Sequence, residues 1–213
     1  MTGAQGVKSL CERSLLRNVI CWRGSRREHA VGLTFDDGPT AEFTPQVLAI
    51  LEQLNVRGTF FVEGHRAERL PALVRRMAEA GHEIGNHGYR HDGEALVSQA
   101  RKCDRALKAC GIRTRLFRPP MGRIGSGDLL RLTLLGYRTV LWSVDSHDSM
   151  RVEGKWAGAL PDYAAVGPGD IVLMHDDNRL CLEELPGLVR SLAARGLTSV
   201  TLRRLLSGHR SMR

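Results

Sequence analysis

The sequence is poor in aromatic residues, has no cysteine pair at a metal-binding spacing, and contains no long apolar run. No apolar run reaches the length of about eighteen residues that a membrane-spanning helix needs, so none is predicted. The five cysteines are odd in number and show no Cys-x-x-Cys spacing, so the sequence indicates neither a disulfide framework nor a zinc–thiolate site. Cys103 and Cys110 lie on one face of a predicted helix, and we expect both to be buried.

Positive charge dominates the chain and comes almost wholly from arginine, with a formal net charge of +8 at pH 7. A basic balance is typical of proteins that bind nucleic acids or acidic polymers. Here the arginines are scattered along the chain, and aromatic residues make up only 5% of it. The sequence therefore offers no platform on which bases would stack, and we predict no nucleic-acid partner.

Both ends of the chain differ in character from its middle. The apolar stretch Val19-Ile20-Cys21-Trp22 is too short for the core of a signal peptide, so a cytoplasmic protein is predicted. Residues 1–30 are expected to form an N-terminal extension packed on the outside of the fold. Residues 203–213 contain arginines and no acidic residue, which predicts a basic C-terminal tail.

Segments typical of strands and helices alternate between residues 31 and 202, which predicts a single domain. Repeated βα units imply a mostly parallel sheet. This sheet is either open or closed into a barrel. Because the chain is shorter than the about 250 residues of a typical eight-fold barrel, a barrel with fewer units or an irregular (β/α) barrel, with about seven parallel strands, fits better. The predicted strands are 31–35, 58–62, 82–85, 116–118, 138–143, 171–174 and 197–201. The predicted helices are 44–54, 71–80, 94–110, 126–135 and 182–194.

Polar residues follow five of these strands at the point where each strand ends. Asp36 and Asp37 follow the first strand and are succeeded at once by the turn Gly38-Pro39. The other groups are Asn86 to His91, Arg118 to Pro120, Asp145 with Asp148, and His175 with Asp176. Because the carboxyl ends of parallel strands lie on one face of a barrel, these side chains are expected to converge there.

The adjacent carboxylates of Asp36 and Asp37 indicate a cationic partner, since two neighbouring acids repel each other and are costly to desolvate. His87 and His91 are four residues apart, so a helical turn would point both imidazoles the same way. Two imidazoles and one carboxylate suit a catalytic Zn²⁺ or a similar divalent ion. One aspartate is then expected to bind the metal and the other to act as base toward a water that the metal acidifies.

Arginine and histidine supply the remaining functions in this interpretation. Arg118 would keep the basic aspartate ionised and oriented. His175 would protonate the leaving group, with a carboxylate such as Asp148 behind it to tune its basicity. Together, the residues that follow the strands predict a site for metal-assisted hydrolysis of an acyl bond.

Five motifs resemble those of the polysaccharide deacetylases of carbohydrate esterase family 4, which include nodulation-factor, chitin and peptidoglycan deacetylases. The resemblance covers about residues 31–202 and keeps the order of the family's motifs. The motifs are Thr34-Phe35-Asp36-Asp37-Gly38-Pro39, His87-x-x-x-His91, Arg118-x-Pro120, Asp145-x-x-Asp148 and Leu173-Met174-His175.

The resemblance implies an irregular (β/α) barrel, one divalent ion and a role for each matching residue. The implied ion is Zn²⁺, with Co²⁺, Ni²⁺ or Mn²⁺ as alternatives. The implied roles are Asp36 as general base, Asp37, His87 and His91 as metal ligands, Arg118 as the partner of Asp36, and His175 as general acid supported by Asp148. The Met121 backbone amide is implied to help stabilise the oxyanion, and the substrate side of the site to include Pro120, Ser149 and Asp145.

Two positions depart from the family's pattern. Met121 stands where the third motif normally has an aromatic residue, and Ser149 stands where the fourth normally has tryptophan. In the family that tryptophan helps to wall the pocket around the acetyl methyl group. Both exchanges leave the predicted catalytic and metal residues in place but remove apolar surface. We therefore expect the substrate to differ from an ordinary chitin or peptidoglycan strand.

Residues near the fourth motif are assigned to the loop that carries it. Asp145 is expected to hold the loop that presents Asp148. His147 lies between these two aspartates and is a candidate to face the substrate groove. Trp156 is expected to be a packing residue in the loop 149–169, which could border the substrate.

The leading hypothesis from the sequence is a metal-dependent hydrolase that removes an N-acetyl group from an N-acetylated amino sugar and releases acetate. An alternative is a cytoplasmic N-deacylase of a small amino-sugar metabolite, a natural product or a lipid-linked sugar. A non-catalytic carbohydrate-binding module is the third reading. It is the least favoured, because every acid, base and ligand position is retained.

Overall fold

The structure is a computed structural model that describes residues 19–207 of the chain. Helices and strands alternate along it, as the sequence pattern predicts. The strands are β1 (Ile20–Cys21), β2 (Ala30–Asp36), β3 (Thr59–Val62), β4 (Glu83–Asn86), β5 (Leu116–Phe117), β6 (Arg138–Val140), β7 (Val144–Asp145), β8 (Ile171–His175) and β9 (Thr198–Ser199). The helices are α1 (Thr44–Gln53), α2 (Gly64–Arg69), α3 (Pro71–Glu79), α4 (Leu96–Ala109), α5 (Ser126–Leu134), α6 (Asp148–Val152), α7 (Arg179–Ala194) and α8 (Leu202–Ser207).

The strands of residues 19–207 form one parallel sheet of nine strands. Their order is β1-β6-β5-β4-β3-β2-β8-β7, and β9 pairs with β2. From β6 to β2, strands that follow one another in the chain are also neighbours in the sheet, which is the order of a (β/α) barrel. The order becomes irregular at β8, β7 and β9. The predicted irregular barrel is confirmed, with nine strands where about seven were expected.

Part of the predicted N-terminal extension belongs to the sheet. Strand β1 pairs with β6 and places Ile20 opposite Thr139. The expectation that the whole of residues 1–30 packs on the outside is therefore wrong for this strand, which forms an edge of the sheet. Two residues are too few to show a period-two pattern, so the sequence gives no strand signal there.

The beginning of the predicted basic tail is helical and packed. Helix α8 buries Leu202, Leu205 and Leu206, whose spacing places them on one helix face. The prediction of a tail was based on the neighbouring arginines, but burial of the three leucines stabilises a helix there. Residues 1–18 and 208–213 lie outside the described residues, and the domain bounds 31–202 stay a prediction.

Strand β2 is the centre of the core, and each of its residues is buried. Burial on both faces explains why the sequence reads there as a nearly continuous apolar run. The ring of Phe35 stacks on that of Phe60 on β3, with 4.7 Å between their centroids. Burial of each such side chain contributes about 1.5–3 kcal/mol. This packed strand fixes the position of Asp36, its last residue.

The cysteines of the described region are free thiols in the protein interior. Cys103 on α4 and Cys110, the residue that follows α4, are both buried, as predicted. Burial raises the pKa of the Cys103 thiol well above its ordinary value, so it behaves as a small apolar side chain. Among residues 19–207, no helix combines the length and the apolar character that crossing a membrane requires.

Candidate active site

The C-terminal ends of the strands bring the predicted catalytic residues to one face of the barrel. Asp36 ends β2 and lies directly opposite His175, the last residue of β8, in the parallel pairing of these strands. Asn86 ends β4 and pairs with Phe117, the residue before Arg118. Side chains distant in sequence therefore meet because each follows a strand of the same parallel sheet.

Arg118 is a fully buried cation, and each nitrogen of its guanidinium donates a hydrogen bond. One terminal nitrogen donates to Asp36 Oδ1 at 2.7 Å and to Thr34 Oγ1 at 2.9 Å. The other nitrogens donate to the backbone carbonyls of Val140 and Leu141 at 3.3 and 3.2 Å. A buried charge is tolerated when it is paired and hydrogen-bonded in this way. The arrangement fixes the orientation of Asp36 and balances its charge.

Asp37 faces two histidines. Its φ angle of 71° places it in the left-handed region. His87 Nε2 also lies 3.7 Å from Asp36 Oδ2. Asp37 Oδ1 lies 3.2 Å from His87 Nε2 and 3.5 Å from His91 Nε2. This oxygen is buried and has no hydrogen-bond partner in the described chain. A buried acceptor without a donor, facing two ring nitrogens, is the arrangement that a bound cation would satisfy.

The three side chains fit a divalent metal ion. The ligating atoms of Asp37, His87 and His91 all lie within 4.8 Å of one another. One carboxylate oxygen and two imidazole nitrogens are the donor set of many catalytic zinc sites, which keep further positions open. His87 Nδ1 lies 2.9 Å from the backbone oxygen of Arg118, and this contact orients Nε2 toward the cluster.

The route by which His91 reaches the cluster differs from the predicted helical turn. Residues 87–95 form a loop between β4 and α4, and Gly88 has a φ angle of 81°. The side chain of Gln99 on α4 accepts the backbone N–H groups of Tyr89 and Arg90 at 2.7 and 2.8 Å. The helical expectation for His87 and His91 is therefore wrong, and a braced loop brings the two imidazoles together instead.

Charges in the cluster shift the pKa values of the candidate ligands. Burial alone would raise the pKa of Asp37, but the neighbouring imidazoles, that of His87 foremost, hold it well below its ordinary value. Burial likewise opposes the charged form of His87, and the carboxylates of Asp36 and Asp37 nevertheless raise its pKa. The pair therefore favours an ionised carboxylate, which is the form that binds a metal, and a protonated His87, which has to lose its proton to bind one.

His175 and Asp148 form a buried pair on the other side of Asp36. His175 Nδ1 lies 2.6 Å from Asp148 Oδ1. The carboxylate also accepts from the hydroxyl of Ser146 at 2.7 Å and from the side-chain amide of Asn178 at 3.2 Å. Burial disfavours the charged imidazole, but the partner carboxylate overrides it and raises the pKa of His175 to about 10. The imidazole is therefore protonated at neutral pH and able to donate a proton.

The turn Pro120–Gly122 carries the predicted oxyanion donor. Met121 has a φ angle of 53°, and its side chain is 65% exposed, so it contributes little to the core. Gly122 follows with a φ angle of 65°. The two left-handed residues make a tight turn after β5, next to Arg118. The oxyanion role of Met121 stays a prediction.

Asp145 supports the turn before Asp148. One of its oxygens accepts the indole N–H of Trp142 at 3.0 Å, and the other accepts the backbone N–H of His147 at 2.8 Å. The imidazole of His147 stacks on the ring of Trp156 at 3.7 Å between centroids. The side chain of Ser149 is partly exposed, and its backbone N–H donates to Asp148.

Three residues of this face were not assigned a role by the sequence. The Trp142 ring lies 5.6 Å from the guanidinium carbon of Arg118 and would contact any side chain at Gly122, so it walls that part of the site. Glu63 follows β3 and lies 3.6 Å from His91. Asp176 follows His175 and is buried. Each stands at or just beyond a strand end. The strand-end rule already grouped Asp176 with His175, and applied to β3 and β6 it would have included Glu63 and Trp142.

Comparison with known proteins agrees with this geometry. The sequence profile of the family described as Polysaccharide deacetylase matches residues 23–140. A peptidoglycan-N-acetylglucosamine deacetylase of Bacillus cereus is 35% identical in an alignment of 201 positions that covers 86% of this chain and 70% of the relative.

Two solved structures share the fold. The Bc1960 peptidoglycan N-acetylglucosamine deacetylase matches with a TM-score of 0.77 and 30% identity, over 90% of this chain and 94% of its own. BA3943, a CE4 family pseudoenzyme from Bacillus anthracis, matches with a TM-score of 0.74 and 26% identity, over 88% of this chain and 69% of its own. The profile, the curated relative and the first of these structures agree with the motifs on the strand ends. The chain belongs to the polysaccharide deacetylase family.

Proposed function

We propose that this protein is a metal-dependent hydrolase that removes the N-acetyl group from an amino sugar of a glycan and releases acetate. The observation that carries the proposal is the meeting of two groups on one face of the barrel. The first is the cluster of Asp37, His87 and His91. The second is the acid–base pair of Asp36, held by Arg118, and His175, held by Asp148.

The metal would be held by Asp37, His87 and His91, and their donor atoms favour Zn²⁺, with Co²⁺, Ni²⁺ or Mn²⁺ as alternatives. When bound, such an ion polarises the acetyl carbonyl and acidifies a water molecule. The orphaned Oδ1 of Asp37 supports this assignment, because no protein donor competes for it.

The residues of the chain supply the proton transfers. Asp36 accepts the proton of the attacking water, and Arg118 holds the carboxylate in place at 2.7 Å. His175 is protonated at neutral pH and donates to the departing sugar nitrogen. The Met121 N–H is proposed to donate to the oxyanion that forms at the acetyl carbon. Water adds to the carbonyl, the C–N bond breaks, and acetate and a free amine result.

A non-catalytic role has a precedent in the fold, because the BA3943 neighbour is described as a pseudoenzyme. The residues of this chain support catalysis instead. Each proposed acid, base and ligand is present, and the buried ion pairs around Asp36 and Asp148 hold the reacting groups in place. A binding module would have no need of a protonated, buried histidine opposite the base.

Two substrate classes fit the proposal. The Bacillus cereus relative is named for N-acetylglucosamine in peptidoglycan, which supports an N-acetylated glycan. The absence of an aromatic side chain at Met121 and at Ser149 favours the second candidate, a small amino-sugar metabolite, natural product or lipid-linked sugar processed in the cytoplasm. A pocket with less apolar wall holds a polymer's acetyl group less tightly.

The test combines metal analysis with acetate release. Purified protein is expected to contain about one divalent ion per chain, and His87→Ala and His91→Ala to lose it. Asp36→Asn is expected to lower turnover at least about 100-fold while the metal stays bound. Asp128→Asn changes a partly exposed carboxylate on α5, outside the proposed site, and serves as the control. Full metal occupancy in both histidine variants, or undiminished turnover in Asp36→Asn, would refute the assignment.

The same assay separates the two substrate classes. Acetate release is measured on peptidoglycan fragments, chitooligosaccharides and small N-acetylated sugars at equal concentration of acetyl groups. A kcat/KM that rises with oligomer length supports the glycan. Strong activity on monomeric sugars alone supports the second candidate and contradicts the first.

A further inference from the structure

Glu63 is a buried carboxylate beside the candidate metal site. It follows β3 directly and is 4% exposed. Its backbone N–H donates to the carbonyl of Gly38 at 3.0 Å, so it is tied to the turn that follows Asp37. Burial of a carboxylate is costly without a compensating partner, so its partners decide what this residue does.

The two carboxylate oxygens of Glu63 have different surroundings. Oε2 pairs with Arg66 Nε at 2.8 Å. Oε1 lies 3.6 Å from His91 Nε2, the same nitrogen that is 3.5 Å from Asp37 Oδ1. Burial and the nearby Asp37 carboxylate raise the pKa of Glu63 to about 7, so the side chain is ionised at pH 8. One oxygen is then paired with arginine, and the other directs negative charge toward the His91 side of the cluster.

We infer that Glu63 is a fourth determinant of metal binding, standing outside the ligand group of Asp37, His87 and His91. The inference rests on the metal site of the proposed function. Glu63 adds negative charge close to the ligands, and its attraction for a divalent cation is strong because the surroundings are poorly solvated. Arg66, on its far side, opposes that attraction.

The test compares two neighbouring substitutions with opposite expected signs. Glu63→Gln keeps the shape and removes the charge, and the dissociation constant for Zn²⁺ is expected to rise about 10- to 100-fold, as for other residues that support metal ligands. Arg66→Gln leaves the Glu63 charge unopposed, and the same constant is expected to fall several-fold. Both are measured by competition with a chelator at pH 8, on protein whose circular dichroism matches the wild type.

Glu68→Gln is the matched control. Glu68 lies on helix α2, as Arg66 does, is exposed, and accepts a hydrogen bond from the Tyr89 hydroxyl at 2.8 Å. Glu68→Gln therefore removes the same charge as Glu63→Gln, from a nearby position. Its affinity for Zn²⁺ is expected to stay within about two-fold of wild type, since exposed charges are screened by solvent. General damage to the loop would weaken all three variants and would contradict the inference.

The outcomes separate this inference from the proposed function. If wild-type protein binds none of Zn²⁺, Co²⁺, Ni²⁺ and Mn²⁺, the metal-dependent hydrolase itself is refuted. If wild type and Glu63→Gln bind Zn²⁺ with equal affinity, only the role of Glu63 is refuted. A weaker site in Glu63→Gln together with a tighter site in Arg66→Gln supports it, and no acetate-release assay is needed to reach either result.

Discussion

Asp148 holds His175 at two points, with Oδ1 2.6 Å from the imidazole Nδ1 and Oδ2 accepting the backbone N–H of His175 at 2.9 Å. The carboxylate therefore fixes both the ring and the strand end that carries it. This double contact leaves Nε2 as the nitrogen that can face a substrate. It also explains why the pKa of His175 rises although the ring is buried.

The first prediction concerns the pH dependence that this pair creates. His175 acts as proton donor only while protonated, and its pKa of about 10 places the loss of activity at alkaline pH. Asp148→Asn removes the charge that raises this pKa. The alkaline limb of kcat/KM is expected to move down by at least about one pH unit, toward the ordinary histidine value of about 6.5. A pH–rate profile on a soluble N-acetylated sugar measures it.

The conservative substitution Asp148→Glu is the control for this prediction. It keeps the charge, so an alkaline limb close to that of wild type is expected even if its overall rate falls. An unchanged limb in Asp148→Asn would show that the carboxylate does not set the pKa of the catalytic proton donor.

The second prediction concerns the buried cation Arg118. Arg118→Met removes the partner of Asp36 and leaves an uncompensated buried carboxylate, so the free energy of unfolding is expected to fall by about 3–5 kcal/mol. Urea denaturation followed by circular dichroism measures the change. The exposed residue Arg131 on α5 is the matched site, and Arg131→Met is expected to change stability by less than about 0.5 kcal/mol.

A double variant tests the reason for that loss. Asp36→Asn in the Arg118→Met background removes the orphaned charge and is expected to restore part of the stability. If the second substitution destabilises further by its full single-variant amount, the two residues are not energetically coupled and the explanation fails.

The strands that carry the site could be predicted because their apolar runs end at charged residues. Asp36 and His175 each follow such a run, and a parallel sheet brings these ends together. Arg118 could be placed the same way. The sequence therefore predicts those parts of the site that follow from the order of the strands, because strands and helices alternate regularly along the chain.

The parts that could not be predicted depend on contacts between distant segments. His91 reaches the cluster through a loop braced by Gln99, and no local pattern distinguishes that loop from a helical turn. Strand β1 has two residues, and its pairing with β6 comes from the sheet. Glu63 follows a strand end, but the sequence does not show which residues it faces, and its distance of 3.6 Å from His91 comes from the structure.

The third prediction concerns the buried residue Asp176. Its Oδ2 accepts from the Thr44 hydroxyl at 2.5 Å, Oδ1 has no partner, and a Cβ at Gly38 would overlap its carboxyl oxygens. Burial raises its pKa to about 7. The pKa of Asp176 in the folded protein is above its value of about 3.9 in the unfolded chain. The contribution of Asp176 to the free energy of unfolding is therefore complete below a pH of about 3.9 and is lost as the pH rises through about 7.

Asp176→Asn remains neutral at every pH and is expected to remove this loss. The melting temperature of the variant relative to wild type is expected to be higher at pH 8.5 than at pH 5.5. Thermal unfolding of both proteins at the two pH values measures the difference. An equal difference at both pH values would show that Asp176 does not ionise in this range.

The last prediction separates the backbone of Met121 from its side chain. The proposed oxyanion donor is the amide, and the side chain is 65% exposed, so Met121→Gly is expected to keep kcat within about three-fold of wild type. Glycine also adopts the φ angle of 53° without steric cost. Met121→Val places a β-branched residue in the left-handed region, which costs about 1–2 kcal/mol and displaces the amide.

The pair of variants gives opposite expectations for the same position. Met121→Val is expected to lower kcat at least about 10-fold on a soluble N-acetylated sugar, because a displaced donor stabilises the oxyanion less well. Circular dichroism shows whether each variant is folded at the assay temperature. A large loss of kcat in folded Met121→Gly, with Met121→Val unaffected, would mean that the thioether side chain and not the amide serves the reaction. The exposed side chain would then have to contact the substrate, and KM as well as kcat would change with the length of the residue placed there.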